Sequence, residues 1–349
     1  MAKTLVVRYS QIGDVLISIP LIYSLAKQNP GDNFTVLTNP KFVGLFAQMP
    51  CNVVLMPMIY RKKKIPLRGL LYLMQRYFLV LKLLLFSDFD KVVLLQNGSF
   101  EDQLKWIYEL KKSKVSMINL KSFLSPQKLQ KPFVASTESL LDIFISTFAH
   151  VGYCNLTKEF DISYYKNTEN KLALLSKNEI DAKRILVGIA PFSRLEAKVF
   201  PLDEMEKVID YFKDYPNVQV LIFGGGENEK RIAENWKAKF PSIIPLIGKL
   251  SFDEELIVIA ACKLMVSMDS ANLHLASLLK IPAVSIWGPS HPDLGYYPYN
   301  EKKENAILLN LSCSPCSFWG ENACTNKRKY ACMDISPKIV IYKIESLLK

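Results

Sequence analysis

No apolar run in this chain is long enough to cross a bilayer. The most membrane-like stretch, PLRGLLYLMQRYFLVLKLLLF from Pro66 to Phe86, is broken by Arg68, Arg76 and Lys82, whereas a spanning helix needs ~20 mostly apolar residues. A basic run, Arg61-Lys62-Lys63-Lys64, precedes it. Two readings stay open for this stretch. It is either a helix packed on a sheet with a solvated basic face, or an interfacial helix whose cations meet anionic headgroups while Leu and Phe side chains dip into the boundary. A charged n-region, apolar h-region and small-residue cleavage site are also missing at the start, so a cytoplasmic location is expected. Internal repeats and low-complexity tracts are absent, which disfavours solenoid and disordered classes. Acidic residues are in deficit, 33 Asp+Glu against 44 Lys+Arg, for a formal charge of +11. That balance points to an anionic partner. The chain has no helix-turn-helix, RNA-recognition or zinc-finger pattern, so no nucleic-acid partner is expected.

What the chain has is alternation. Half of its 349 residues are hydrophobic, and single cores seldom grow beyond ~250–300 residues, so two domains are expected. Short β-branched runs predict strands at Thr4–Arg8, Phe34–Leu37, Val53–Leu55, Lys91–Leu95 and Val115–Ile118. Helices are expected after the first strand, between the third and fourth, and near Glu138–Ala149. A polar stretch, ISYYKNTENKLALLSKNEIDAKR, interrupts the pattern before a fresh strand, ILVGIA (Ile185–Ala190). Further strands are predicted at Val218–Phe223, Leu264–Ser267 and Ala283–Ile286, with helices near Asp203–Lys213, Glu227–Lys239, Asp253–Ala261 and Ser270–Leu279. The reading is α/β: two doubly wound domains, residues 1–165 and 166–335, facing a cleft, with a closing helix at 336–349 that could pack back on the first domain.

Open parallel sheets bind ligands beyond the carboxyl ends of their strands, so the loops there carry the candidate site. The first is SQIGD, where Gly13 permits close approach and Asp14 stands at a helix mouth. The bland reading of Asp14 is a cap, since a carboxylate accepts from the first free N–H groups and suits the helix dipole. The loop APFSRLEAKVFP offers the Ser193 hydroxyl, Arg194 and Lys198, two cations and a hydroxyl suited to phosphate. FGGGENEKR supplies three glycines before a helix start. It matches neither GxGxxG nor the Walker loop, and a tight turn would use the same glycines. The stretch VSMDSANLHLASLLKIPAVSIWGPSHP delivers Asp269 and Ser270 to a helix whose first-turn N–H groups make an anion site. Capping is again the plain alternative for Asp269 and Ser270, and a packed helix position for His274.

In this order and spacing, RYSQIGDVLISIP, APFSRLEAKVFP, LIFGGGENE and DSANLHLASLLKIPAVSIWGPSHP resemble glycosyltransferase family 9, the ADP-heptose:lipopolysaccharide heptosyltransferases. The resemblance implies a GT-B fold, a nucleotide-sugar donor (ADP-heptose), an anionic lipopolysaccharide or glycolipid acceptor at the inner membrane surface, and inversion without a required cofactor or metal. It further implies Asp14 as general base and Lys198 as the contact to the donor phosphates, with Gly13, Ser193 and Arg194 nearby. Arg194 departs from the hydroxyl residue usual there. Glu227 falls where an acidic residue reaches the ribose, with Glu229 close enough to compete, and Asp269, Ser270, Ala271, Asn272 and His274 match the segment receiving the diphosphate.

The chemistry is self-consistent: an inverting transfer needs one base for the acceptor, and positive charge with N–H donors for the departing diphosphate. Other readings remain: another GT-B transferase, a sugar-nucleotide 2-epimerase, or a nucleotide-binding member without turnover. Asp88-Phe89-Asp90 has the DxD form of metal-dependent transferases but precedes a strand, as a solvated turn would. Cys313, Cys316, Cys324 and Cys332 have the number of thiolates a structural zinc needs, although the Cys-x7-Cys spacing of the second pair lacks the tight loop that presents two ligands together. Zinc and thiol packing are both expected readings, and disulfides are not.

Overall fold

The computed structural model describes residues 1–58, 88–120, 124, 129 and 133–349. The basic run at 61–64, the stretch at 66–86 and the helix expected between the third and fourth strands lie outside the described residues. Two compact units form, one from Met1–Phe123 with Leu140–Phe160, the other from Leu124–Ser139 with Asp161–Lys349.

The first unit contains β1 (Lys3–Val7), α1 (Ile12–Gln28), β2 (Asn33–Thr38), β3 (Val53–Pro57), β4 (Lys91–Leu94), α2 (Ser99–Leu110), β5 (Lys114–Met117) and α3 (Leu140–Ala149). Its strands lie in the order β3-β2-β1-β4-β5, every pair parallel. Strands covered on both faces read as unbroken apolar runs, and residues 4–7 of β1 are all buried. Leu5, Val7, Val92 and Leu94 meet Leu104 and Tyr108 of α2 in one core cluster. Each such Leu or Val contributes roughly 1.5–3 kcal/mol when fully buried. Helix α2 was not among the expected elements. Its signal is Phe100, Leu104, Ile107 and Tyr108, which share one buried stripe at helical spacing but are diluted by charge.

In the second unit the order is β6 (Ile185–Ala190), β7 (Val218–Ile222), β8 (Ile244–Pro245), β9 (Leu264–Met268), β10 (Ala283–Ile286) and β11 (Ala306–Ile307). The strands are arranged β11-β10-β9-β6-β7-β8, again all parallel. Counted within the unit, this is the 3-2-1-4-5-6 order of a dinucleotide-binding sheet. The polar stretch before β6 folds into α4 (Ser163–Asn167) and α5 (Lys171–Lys177), which pack on α8 (Phe252–Ala261). Tyr165 and Leu175 are buried there, and the stretch from Asp161 onward groups with the second unit. The remaining helices are α6 (Leu202–Tyr211), α7 (Glu227–Lys239), α9 (Ala271–Leu278) and α10 (Pro337–Leu348). Where the sequence left open that α10 returns to the first half, the helix packs on α6 and beside β9 and β10 of its own unit. It contributes Val340 and Ile344 to that core.

The strand order reverses once in each sheet, between β1 and β4 in the first unit and between β6 and β9 in the second. A crevice opens at such a switch point beyond the strand ends, and the loops that follow these four strands, with the loop after β7, hold the candidate residues.

Candidate active site

In the first unit, β1 hands the chain directly to Arg8, whose guanidinium is 4% exposed. Its Nη1 donates to the Leu95 carbonyl at 2.8 Å, and Nη2 donates to Oδ2 of Asp14. The guanidinium also lies over the Phe144 ring of α3, 5.8 Å from its centre. Asp14 is therefore not a cap: α1 starts without any side-chain cap bond, and its carboxylate faces Arg8. The other carboxylate oxygen, Oδ1, has no hydrogen-bond partner among the described residues, and the side chain is 17% exposed. Gly13 lies in the first turn of α1, half-buried beside it.

The loop between Arg8 and Asp14 is held from β4. Gln96 Oε1 accepts from the Tyr9 N–H at 3.0 Å, the Ser10 N–H at 3.2 Å and the Ser10 hydroxyl at 3.2 Å. Gln96 is anchored in turn, since its Nε2 donates to the buried Glu101 at 2.9 Å, and the Tyr9 hydroxyl donates to the same oxygen at 2.7 Å. Gln11, the last residue before α1, sits at φ 58° and ψ 101°, a sparsely populated conformation that costs of order 1–3 kcal/mol and persists only where the surroundings over-determine it. None of Arg8, Gln96 or Glu101 was anticipated from sequence. The available signal was a charged residue ending an apolar strand.

In the second unit, a single 3-10 turn, Glu196–Lys198, follows β6. Lys198 is buried and its Nζ donates to Asp269 Oδ2 at 2.5 Å. Ser290, after β10, donates its hydroxyl to the same oxygen, also at 2.5 Å. Asp269 was expected to receive the donor diphosphate, yet a carboxylate has no proton to offer a phosphate. It stands here as the counter-ion that holds the ammonium. The C-terminal loop closes over the lysine stem: a Cβ on Gly320, which has φ 87°, would lie 2.8 Å from Lys198 Cε. Only glycine tolerates both that contact and that backbone angle. Ser290 and Gly320 were missed, since both lie in ordinary turns of the sequence.

Ser270 begins α9 without a side-chain cap bond, its hydroxyl lying 3.3 Å from that of Ser267. The capping expectation thus fails, and the first-turn N–H groups of Ala271 and Asn272 keep the orphan character of a helix start. Both residues and His274 are half-buried. Arg194 is exposed and Ser193 half-buried. Ser193 Oγ accepts only a long 3.5 Å bond from the Leu195 N–H. The two glutamates at the glycine loop separate clearly. Glu229 reaches back to accept from the Gly225 N–H at 2.7 Å, and burial raises its pKa above the usual carboxylate value. Glu227 is exposed and open to a ligand. A Cβ on Gly224 would lie 2.7 Å from Glu229 and 2.8 Å from Phe192, so that glycine serves close packing.

Asp90 of the DxD sequence accepts from the Lys3 N–H, and Asp88, 92% exposed, accepts from Lys111 at the surface. Cys313, Cys316, Cys324 and Cys332 line one cavity together with Ala197 and Pro289, and none of the four forms a disulfide. N–H groups of Tyr330 and Asn326 lower the pKa of Cys324, while burial pushes Cys332 up to about 11. Among the described residues no group of three or more His, Cys, Asp or Glu side chains is arranged to hold a metal ion.

The sequence profile of glycosyltransferase family 9 (heptosyltransferase) matches residues 108–326. The chain belongs to this family. Lipopolysaccharide heptosyltransferase 2 of Salmonella typhimurium is 33% identical over 184 residues, 51% of either chain, so the chain spans about half the length of the curated relatives it matches. Among solved structures, the E. coli ADP-heptose lipopolysaccharide heptosyltransferase II superposes with a TM-score of 0.71 at 19% identity, covering 99% of this chain and 98% of that one. The E. coli heptosyltransferase WaaC with ADP gives 0.70 at 18% identity, with 99% of each chain covered. The expected GT-B fold of two Rossmann-like units is the fold observed.

Proposed function

We propose that this family 9 glycosyltransferase moves a heptose from ADP-heptose to a lipopolysaccharide core acceptor, with inversion at the anomeric carbon. The observation that carries the reading is that each switch point ends in one complementary group, a carboxylate with an open oxygen in the first unit and a buried ammonium in the second. Asp14 takes the acceptor proton through Oδ1. Lys198, with the N–H groups of Ala271 and Asn272, neutralises the departing diphosphate. Ser193 and Arg194 flank the phosphates, Glu227 reaches the ribose, and His274 lines the diphosphate segment. The first unit then binds the acceptor and the second the nucleotide-sugar. The names of the relatives support the choice of ADP and heptose.

Charge stabilisation by a fixed lysine and by helix N–H groups needs no resident metal, so the transfer is metal-independent. The excess of 11 positive charges suits an anionic acceptor presented at the cytoplasmic face of a membrane. Among the described residues no helix is long and apolar enough to cross that membrane.

Asp14→Asn tests the assignment. Turnover measured with ADP-heptose and a core acceptor should fall by about 10²–10⁴, the usual worth of a general base, while ADP binding by calorimetry stays near wild type. Wild-type turnover at saturating substrates would remove Asp14 from the mechanism.

A further inference from the structure

We infer that Arg8 is the positioning residue of the base, fixing Oδ2 of Asp14 so that Oδ1 alone is presented to the acceptor hydroxyl; this rests on the function proposed above. Three observations converge on it. A guanidinium 4% exposed is an expensive thing to place at the end of a core strand, and replacing a buried ion pair with an apolar group of similar shape is often neutral or stabilising. Arg8 is therefore poorly explained as a device for stability. Its orientation is also over-determined: Nη1 is tied to the Leu95 carbonyl, the plane rests over Phe144, and Nη2 is left for Asp14. Finally, the intervening loop has no freedom to wander, since Gln96 accepts three bonds from Tyr9 and Ser10 and Gln11 is held at a positive φ. Two anchors from β4, the Leu95 carbonyl through Arg8 and the Gln96 side chain through the loop backbone, thus converge on one carboxylate.

The geometry assigns the two oxygens different work. During transfer the acceptor O–H bond breaks and its proton passes to Oδ1. The acceptor oxygen forms its bond to the anomeric carbon, and the anomeric C–O bond to the diphosphate breaks, its electron pair leaving with the phosphate oxygen. Throughout, Oδ2 stays on Arg8, so the carboxylate cannot rotate its open oxygen away. Guanidinium suits this task because its donors are fixed in one plane, whereas an ammonium would allow the carboxylate to swivel.

The test uses the full chain with Arg8→Lys, Arg8→Met and Arg8→Ala, each assayed for kcat, for acceptor and donor KM, and for ADP affinity. Arg8→Met should lower kcat by about 100-fold, the scale of a misplacement near 1 Å, with donor KM and ADP affinity within about twofold. Arg8→Lys should recover part of that loss, and added guanidinium ion should raise kcat of Arg8→Ala but not of the wild type. If Arg8→Met or Arg8→Lys folds and turns over at the wild-type rate, Arg8 has no positioning role. Loss of kcat with no recovery by lysine and none by guanidinium would equally overturn the inference in favour of a purely structural pair. The base assignment fails separately: an active Asp14→Asn removes it, whereas an inactive Asp14→Asn beside a fully active Arg8→Met removes only the present inference.

Discussion

At the scale of single residues, the two half-sites share a design in which a reactive group is held by a partner of opposite charge. The pair in the second unit makes a prediction that separates stability from binding. Lys198→Ala leaves Asp269, whose side chain is 12% exposed, as a nearly buried carboxylate supported only by Ser290. Breaking a buried pair costs about 3–5 kcal/mol, so the melting temperature should drop along with ADP affinity. Adding Asp269→Asn removes the stranded charge. The double variant should regain much of the melting temperature while ADP affinity, measured by calorimetry, stays low. Recovery of affinity with stability would mean that Lys198 acts on fold alone. Asp14 and Lys198 could be proposed from the sequence because each follows a strand beside a glycine or a hydroxyl. Arg8, Ser290 and Gly320 were not, because their roles lie in contacts and nothing in their neighbours' spacing reports those contacts.

Among the elements, α8 shows how a helix can be well specified and still carry a costly residue. Ser251 and Glu254 form a reciprocal capping box, Ser251 N–H to Glu254 at 2.7 Å and Glu254 N–H to Ser251 at 3.3 Å. That motif fixes where the helix starts. One residue later, burial raises the pKa of Glu255 to about 7. A raised folded-state pKa means that the folded chain holds this proton more tightly than the unfolded chain. The resulting stability is complete below the unfolded value near 4.5 and is lost as pH rises through about 7. Glu255→Gln, neutral at every pH, should therefore raise the melting temperature more at pH 8 than at pH 5. An equal gain at both pH values would show that Glu255 does not titrate in this range. The long elements were read from sequence within a residue or two at most ends. The missed ones, α2, α4, α5, β8 and β11, are short or charge-diluted, and their formation depends on the sheet or helix they pack against.

For the whole molecule, the proposed chemistry draws its positive charge from the chain itself. Prolonged incubation with EDTA should leave transfer within about twofold of its untreated rate if, as proposed, Lys198 and the helix N–H groups alone neutralise the diphosphate. A chelator-induced loss of activity that zinc or magnesium restores would reverse that conclusion, and a fall in melting temperature alone would point to the cysteine-lined cavity. What the sequence by itself determined is the plan: alternating runs demand parallel sheets covered by helices, two such blocks demand two units, and the rule of strand ends selects the loops that matter. Those are local properties, written in periodicity and turn chemistry. Tertiary structure alone decided which side chains meet. Arg8 finds Leu95 across 87 positions and Lys198 finds Asp269 across 71, because the β1–β4 and β6–β9 pairings set those strand ends side by side. Strand order is a choice among packings of the same elements, and it is that choice which turned Asp14 from a helix cap into a carboxylate with one oxygen held and one open.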